Sequence, residues 1–204
     1  MMPTRSRPVM TALLVWVAAA LPVAAQDSGQ PFSVEGRLGF SFPTGSLARG
    51  QRGVATNVGL TRGLSALLQL HSHLGLYGGW SRHGFACSED SDCAADAVIA
   101  SKGFEAGVKI VLPHQTATVP YFRGGVTLHR FSYDLDGVVA ESDIAPGVEA
   151  GVGADVAMHR NLSLTPQVRF LYYRTDLNLE TFNTGAETFV VSSVVIDLGA
   201  RLHF

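Results

Sequence analysis

The chain has 204 residues, 47% of them hydrophobic and only 16% charged, with a mean hydropathy of +0.21. Average soluble domains carry about 25% charged residues and roughly 7% glycine, so the chain is under-charged and its 22 glycines are an excess. Fifteen Lys and Arg against 17 Asp and Glu exclude a general nucleic-acid binder, and a chain this apolar is not a disordered one.

The N-terminus reads as an export signal. Arg5 and Arg7 form a positive region, Thr11 to Leu21 an apolar one, and Val23-Ala24-Ala25 a small-residue cleavage site. Pro22 interrupts the apolar run, which falls short of the ~20 residues of a spanning helix. The expected organisation is a cleavable helical signal peptide over residues 1–25 and one domain over 26–204, with Gln26 as the mature N-terminus.

From Phe32 onward the apolar period is two, the period of side chains alternating across a strand. Phe32, Val34, Leu38, Phe40 and Phe42 share one face, with Glu35 and Arg37 on the other. Less regular strands fit near 56–70 and 74–85. In 102–112, Phe104, Ala106, Val108, Ile110 and Leu112 oppose Glu105 and Lys109. A strand near 119–133 follows. In 145–158, Val148, Ala150, Val152, Ala154, Val156 and Met158 oppose Glu149, Gly151, Gly153 and Asp155. After a strand near 162–174, the last residues are the clearest. Val190, Val194, Ile196, Leu198, Ala200, Leu202 and Phe204 alternate with a face that ends in Asp197, Gly199, Arg201 and His203.

These are eight strands, and an even number is what bacterial single-chain barrels require. Connections near His71–His73, Pro113–Thr118 and His159–Asn161 are short, whereas 43–53, 86–101, 134–144 and 175–188 are long and polar. That alternation matches short periplasmic turns and longer outer loops. Aromatic residues group at the strand ends, Phe32, Phe122 and Phe204 below and Phe40, Phe42, Phe104, Phe131 and Tyr172 above, as two interfacial girdles. The expected fold is an all-β, eight-stranded antiparallel up-and-down transmembrane barrel.

The mature chain from Phe32 to Phe204 resembles the small outer-membrane β-barrels of the OmpA/OmpX and opacity-protein type. Its most specific match is the ending Asp197-Leu198-Gly199-Ala200-Arg201-Leu202-His203-Phe204. This is similar to the family's assembly signal, with Gly199, Leu202 and Phe204 as its marks. The resemblance implies outer-membrane localisation and insertion by the outer-membrane assembly machinery. It implies no activity, because such barrels serve as anchors, adhesins, enzymes and envelope braces.

Glu35, Glu105, Glu149, Asp155 and Asp197 point inward by phase, as do Arg37, Lys109, Arg123, Arg169 and Arg201. An eight-stranded lumen is only wide enough for side chains to fill it, so five acids and five bases should pair rather than line a pore. Gly75, Gly79, Gly103, Gly107, Gly147, Gly151 and Gly153 share that face, and are expected to leave room for the arginines. Cys87 and Cys93 sit in one outer loop of an exported chain and are expected to form a local disulfide, worth about 2 kcal/mol by chain entropy. Between and beside them Glu89, Asp90, Asp92 and Asp96 could gather a divalent cation, but the EF-hand pattern is missing and a solvated acidic loop is preferred.

A lipid-deacylating enzyme would need a Ser–His pair on one face. His129 and Ser132, beside Asp134, are three apart and therefore on opposite sides of the wall, while His71, His73, His114 and His159 belong to turns. No cofactor, metal or catalytic residue is assigned. The expected function is non-enzymatic: envelope integrity or surface contacts through the loops, by a monomer. A lipid A-modifying enzyme and a small low-conductance pore are the alternatives.

Arg62, Arg82, Lys102, Arg130 and Arg174 are outward in phase and lie toward the upper ends of their strands. An outward arginine costs about 2–4 kcal/mol at the midplane and ~0–1 near an interface. Snorkelling explains the height of these residues but not the absence of counterparts at the lower ends. Pairing of guanidinium groups with lipopolysaccharide phosphates of the outer leaflet explains both.

Overall fold

The computed structural model describes residues 31–45, 56–87, 98–112, 117–135, 138–178 and 186–204. The expected signal peptide, Cys93 and the acidic residues Glu89, Asp90, Asp92 and Asp96 lie outside the described residues.

The alternating segments become ten strands: β1 (Phe32–Pro43), β2 (Thr56–Asn57), β3 (Gly59–His71), β4 (Leu74–Cys87), β5 (Val98–Val111), β6 (Thr118–Leu135), β7 (Val138–Glu141), β8 (Ala145–His159), β9 (Leu162–Asn178) and β10 (Ala186–His203). Eight of them pair antiparallel in the closed order β1-β3-β4-β5-β6-β8-β9-β10. The two short ones extend hairpins, β2 against the end of β4 and β7 against the end of β6. Closure satisfies the edge groups that an open sheet would leave bare in lipid.

The stagger of this wall can be read from its register. Partners lead from Phe42 of β1 through Val194, Phe170, Ala150, Gly124, Val108, Leu76 and Leu68 back to β1 at Phe32, ten residues from the start. A shear of this kind tilts the strands by roughly 40° to the barrel axis. The lower rim holds the start of β1 and Phe204, with the Phe32 and Phe204 rings 6.1 Å apart, and the tight β3–β4 and β8–β9 turns.

Alternation sorts the side chains as a membrane wall requires. Leu64, Phe104, Val126, Leu198 and Phe204 are more than half exposed outward, while the ten charged residues of the other face are buried inside. Three expectations need correction. β5, β9 and β10 run further upward than the alternation suggested, and the 134–144 connection contains β7. Phe131 is not in the upper girdle: it is 1% exposed and packs inside with Phe85, Ile99, Ala145, Tyr173 and Val191. Its neighbour Arg130 faces out, so strict alternation turns Phe131 in. The inward glycines, finally, mostly do not serve the arginines. A Cβ on Gly107 or Gly125 would meet the Tyr77 hydroxyl at 2.6 Å, one on Gly153 the Tyr121 ring at 2.6 Å, and one on Gly103 the His129 ring at 2.7 Å. Gly151, against Arg169 at 2.8 Å, and Gly63, against Arg37 Nη2 at 2.9 Å, are exceptions.

Candidate functional site: a filled lumen and an outward basic row

The inside of the barrel is stacked in three levels. At the bottom, Lys109 Nζ donates to Asp155 Oδ2 at 2.5 Å and Arg201 Nη1 to Asp155 Oδ1 at 2.7 Å. Arg201 also pairs with Glu35, its Nε 3.0 Å from Oε2. Above them, Arg123 donates to Glu149 at 2.8 Å, and Arg37 pairs with Glu105. Arg169 Nη1 reaches Glu105 Oε2 and Glu149 Oε2, each at 3.0 Å, and its Nε reaches Asp197 at 2.8 Å. Every one of the ten inward charges is at most 9% exposed. Each carboxylate meets at least one cation, as burial of charge demands.

Neutral residues that the charge pattern did not single out complete these two levels. Gln167 Nε2 donates to Glu35 and its Oε1 accepts from Arg123. The Tyr121 ring lies under Lys109 Nζ, 3.9 Å from its centroid, and the Tyr77 ring under Arg123 at 4.0 Å, both favourable cation–π distances. Inward phase was the available clue; their partners lie on strands distant in sequence.

A hydroxyl and imidazole shelf forms the third level. His83 and His129 stack at 5.6 Å, and Ser81 Oγ lies 3.1 and 3.4 Å from their Nε2 atoms. Thr61 holds His83 Nδ1 at 2.8 Å, Ser101 holds His129 Nδ1 at 2.9 Å, and Tyr173 donates to Ser101 at 2.7 Å. The apolar cluster around Phe131 packs beside this shelf toward the upper end. Ser132, on the opposite side of the wall from His129, donates to the Ala100 carbonyl at 3.3 Å.

The outward basic residues are ordered more closely than phase alone required. Arg62 of β3 is the register partner of Arg82 of β4, Arg82 of Lys102 of β5, and Lys102 of Arg130 of β6. Four cations therefore stand directly side by side on four consecutive strands. Lys102 Nζ and Arg130 Nη1 donate to the two oxygens of Glu141, at 2.8 and 2.9 Å. These two hydrogen bonds, Lys102's first, hold the Glu141 carboxyl below its usual pKa. Arg174 is apart on β9, its Nε donating to the Tyr172 hydroxyl at 2.9 Å.

Gly199 lies inside, where a Cβ would stand 2.1 Å from Thr165 Oγ1 and 3.1 Å from Glu35 Cγ; Leu202 and Phe204 face outward. No free cysteine stands among the described residues, Cys87 included. No group of three or more His, Cys, Asp or Glu that could hold a metal stands among them either.

The model of the outer membrane protein beta-barrel domain family matches residues 11–196. No curated protein matches the sequence. Among solved structures, the chain is similar to neisserial surface protein A, with a TM-score of 0.65 and 19% identity over 85% of this chain and 97% of that one. It is also similar to OprG of Pseudomonas aeruginosa, with a TM-score of 0.53 and 14% identity over 86% and 98%. The attachment invasion locus protein Ail of Yersinia pestis gives a TM-score of 0.51 and 14% identity over 85% and 97%. At these identities the likeness is one of fold.

Proposed function

This chain belongs to the outer membrane protein beta-barrel domain family, and we propose that it is a non-enzymatic, monomeric wall protein of the outer membrane. It braces the envelope by holding lipopolysaccharide of the outer leaflet on its basic residues and presents its loops for surface contacts. The observation that carries this reading is the outward row Arg62–Arg82–Lys102–Arg130. Like charges directly opposite on neighbouring strands destabilise a sheet, and bidentate phosphates relieve such a row when they bind it. The packed lumen supports a wall rather than a pore, since side chains occupy the path that ions would take. Gly199, Leu202 and Phe204 serve as the signal to the assembly machinery, and a Cys87–Cys93 disulfide stiffens the outer loop.

Replacing Arg62, Arg82, Arg130 and Arg174 together by Gln tests the lipid reading. All four are outward, so folding in detergent, followed by heat-modifiable migration, stays intact while co-purifying lipopolysaccharide falls. Unchanged lipopolysaccharide on that variant overturns the reading.

A further inference from the structure

The basic row is not uniform along its length. At one end, Lys102 and Arg130 share the carboxylate of Glu141. At the other, Arg62 and Arg82 have no carboxylate partner among the described residues. Arg62 and Arg82 are thus register partners across β3 and β4 with no anion of the described residues between them.

Their depth sharpens the imbalance. Because the strands are tilted, a row along the hydrogen-bond direction climbs by roughly 3 Å per strand. Going from β3 to β6 it climbs toward the upper rim, so Arg62 is the lowest of the four. Outward apolar residues continue above it: Leu60 is 61% exposed and Val58 45%. Below it stand Leu64 and that residue's register partner Trp80. Arg62 is therefore the deepest of the four, with exposed leucines above and below it. Snorkelling carries a long side chain toward water, but it does not remove the repulsion from Arg82 or supply an anion at this level.

We propose that the Arg62–Arg82 pair is a site for one phosphate group of an outer-leaflet lipid headgroup, and that Glu141 is a built-in counter-anion that keeps a second phosphate off Lys102 and Arg130. The proposal rests on the lipid-holding function above and localises it. Two planar forks suit a tetrahedral phosphate bidentately. Glu141 occupies, at the other end of the row, the position relative to two cations that the phosphate takes between Arg62 and Arg82. It arrives from β7, a short strand beyond the barrel wall, so exchanging it leaves the lumen untouched.

The test uses the whole barrel in nanodiscs containing monophosphorylated lipid A, so that each bound lipid brings one phosphate, with bound phosphorus counted per protein after exchange into lipid-free detergent. Wild type retains one phosphate. R62Q/R82Q loses it, with affinity for the lipid A discs down by roughly tenfold or more. E141Q retains two, and E141Q/K102Q/R130Q returns to one. Retention of phosphate by R62Q/R82Q, or a count of one in E141Q, overturns the proposal. Inorganic phosphate offered to lipid-free protein is not retained; retention that depends on Arg62 and Arg82 would overturn the assignment to a lipid. Loss of lipid by the fourfold Gln variant, together with its retention by R62Q/R82Q, would refute this localisation alone. Retention by both would refute the function as well.

Discussion

Tyr77 of β4 donates its phenolic hydrogen to Glu149 of β8 across the lumen, at 2.5 Å. The ring reaches that far because Gly107 and Gly125, register partners on β5 and β6, present no Cβ to its hydroxyl. Y77F leaves Glu149 with Arg123 and Arg169 and should cost about 1.5–3 kcal/mol, the worth of one hydrogen bond to a charged group. G125A should cost more, because its Cβ would also stand 2.2 Å from the Ala106 carbonyl oxygen. Removing the hydroxyl does not move that backbone. Urea unfolding in detergent should therefore find Y77F/G125A no more stable than G125A, and recovery in the double variant would contradict the geometry.

Arg169 is the most connected cation in the barrel, touching Glu105, Glu149 and Asp197. The three carboxylates depend on it unequally. Glu105 keeps Arg37 and Arg123, and Glu149 keeps Arg123 and Tyr77, but Asp197 has no other ion-pair partner among the described residues. R169M should then destabilise by about 3–5 kcal/mol, the cost of a buried charge left unpaired. R169M/D197N should regain a large part of it, whereas R169M/E149Q should not. Equal recovery by both would show that Asp197 is not the orphan.

The wall and its charged lining were legible because a period of two assigns sides without knowledge of neighbours. Glu35 and Arg37, or Asp197 and Arg201, fall inward once their apolar neighbours fall outward. Which inward charge meets which was not legible: Arg201 finds Glu35 across a separation of 166 residues, fixed by closure and shear and not by local pattern. Phe131 was misplaced because an aromatic residue near a strand end suits a girdle and an inner plug alike, and only the phase of Arg130 beside it decides. The His83–His129 shelf was missed for a related reason. Single polar residues on an inward face carry little signal until the strands bring Thr61, Ser81 and Ser101 around them. Glu141 lay in a stretch expected to be loop, where register gives no guidance.

The plug around Phe131 and the charge network below it fill the lumen at separate levels. F131A removes a side chain that is 1% exposed, and should cost about 3–5 kcal/mol as a large core truncation. It should not open a conductance, since the His83–His129 stack and the Arg169 level remain in place beneath it. Planar-bilayer recording on F131A should be as silent as on wild type. Steady single-channel currents in the variant would mean that the plug alone holds the barrel shut, and would favour the pore.

Glu141 ties β7 to the wall through Lys102 and Arg130, and its carboxyl is held below its usual pKa by those two hydrogen bonds. A group whose pKa is lower when folded stabilises above its unfolded value, about 4.3 for Glu, and loses that contribution as pH falls through the lower folded value. Among the described residues Asp134 and Asp143 are the other carboxylates flanking the hairpin, and Asp136 lies between its two strands in the sequence. From pH 7 down to about 4.5 the contact should hold; below that the β7 hairpin should loosen while the eight-stranded wall stays folded. The exposed setting makes this a small effect, within the 0–1 kcal/mol of a surface pair, so a local probe is needed. Amide exchange at Ala140 and Glu141, corrected for intrinsic rates, should rise in acid relative to wall amides such as Val126. E141Q should already show the loosened hairpin at pH 7 and little further change. A wild-type transition that persists unchanged in E141Q would assign the acid response to another group.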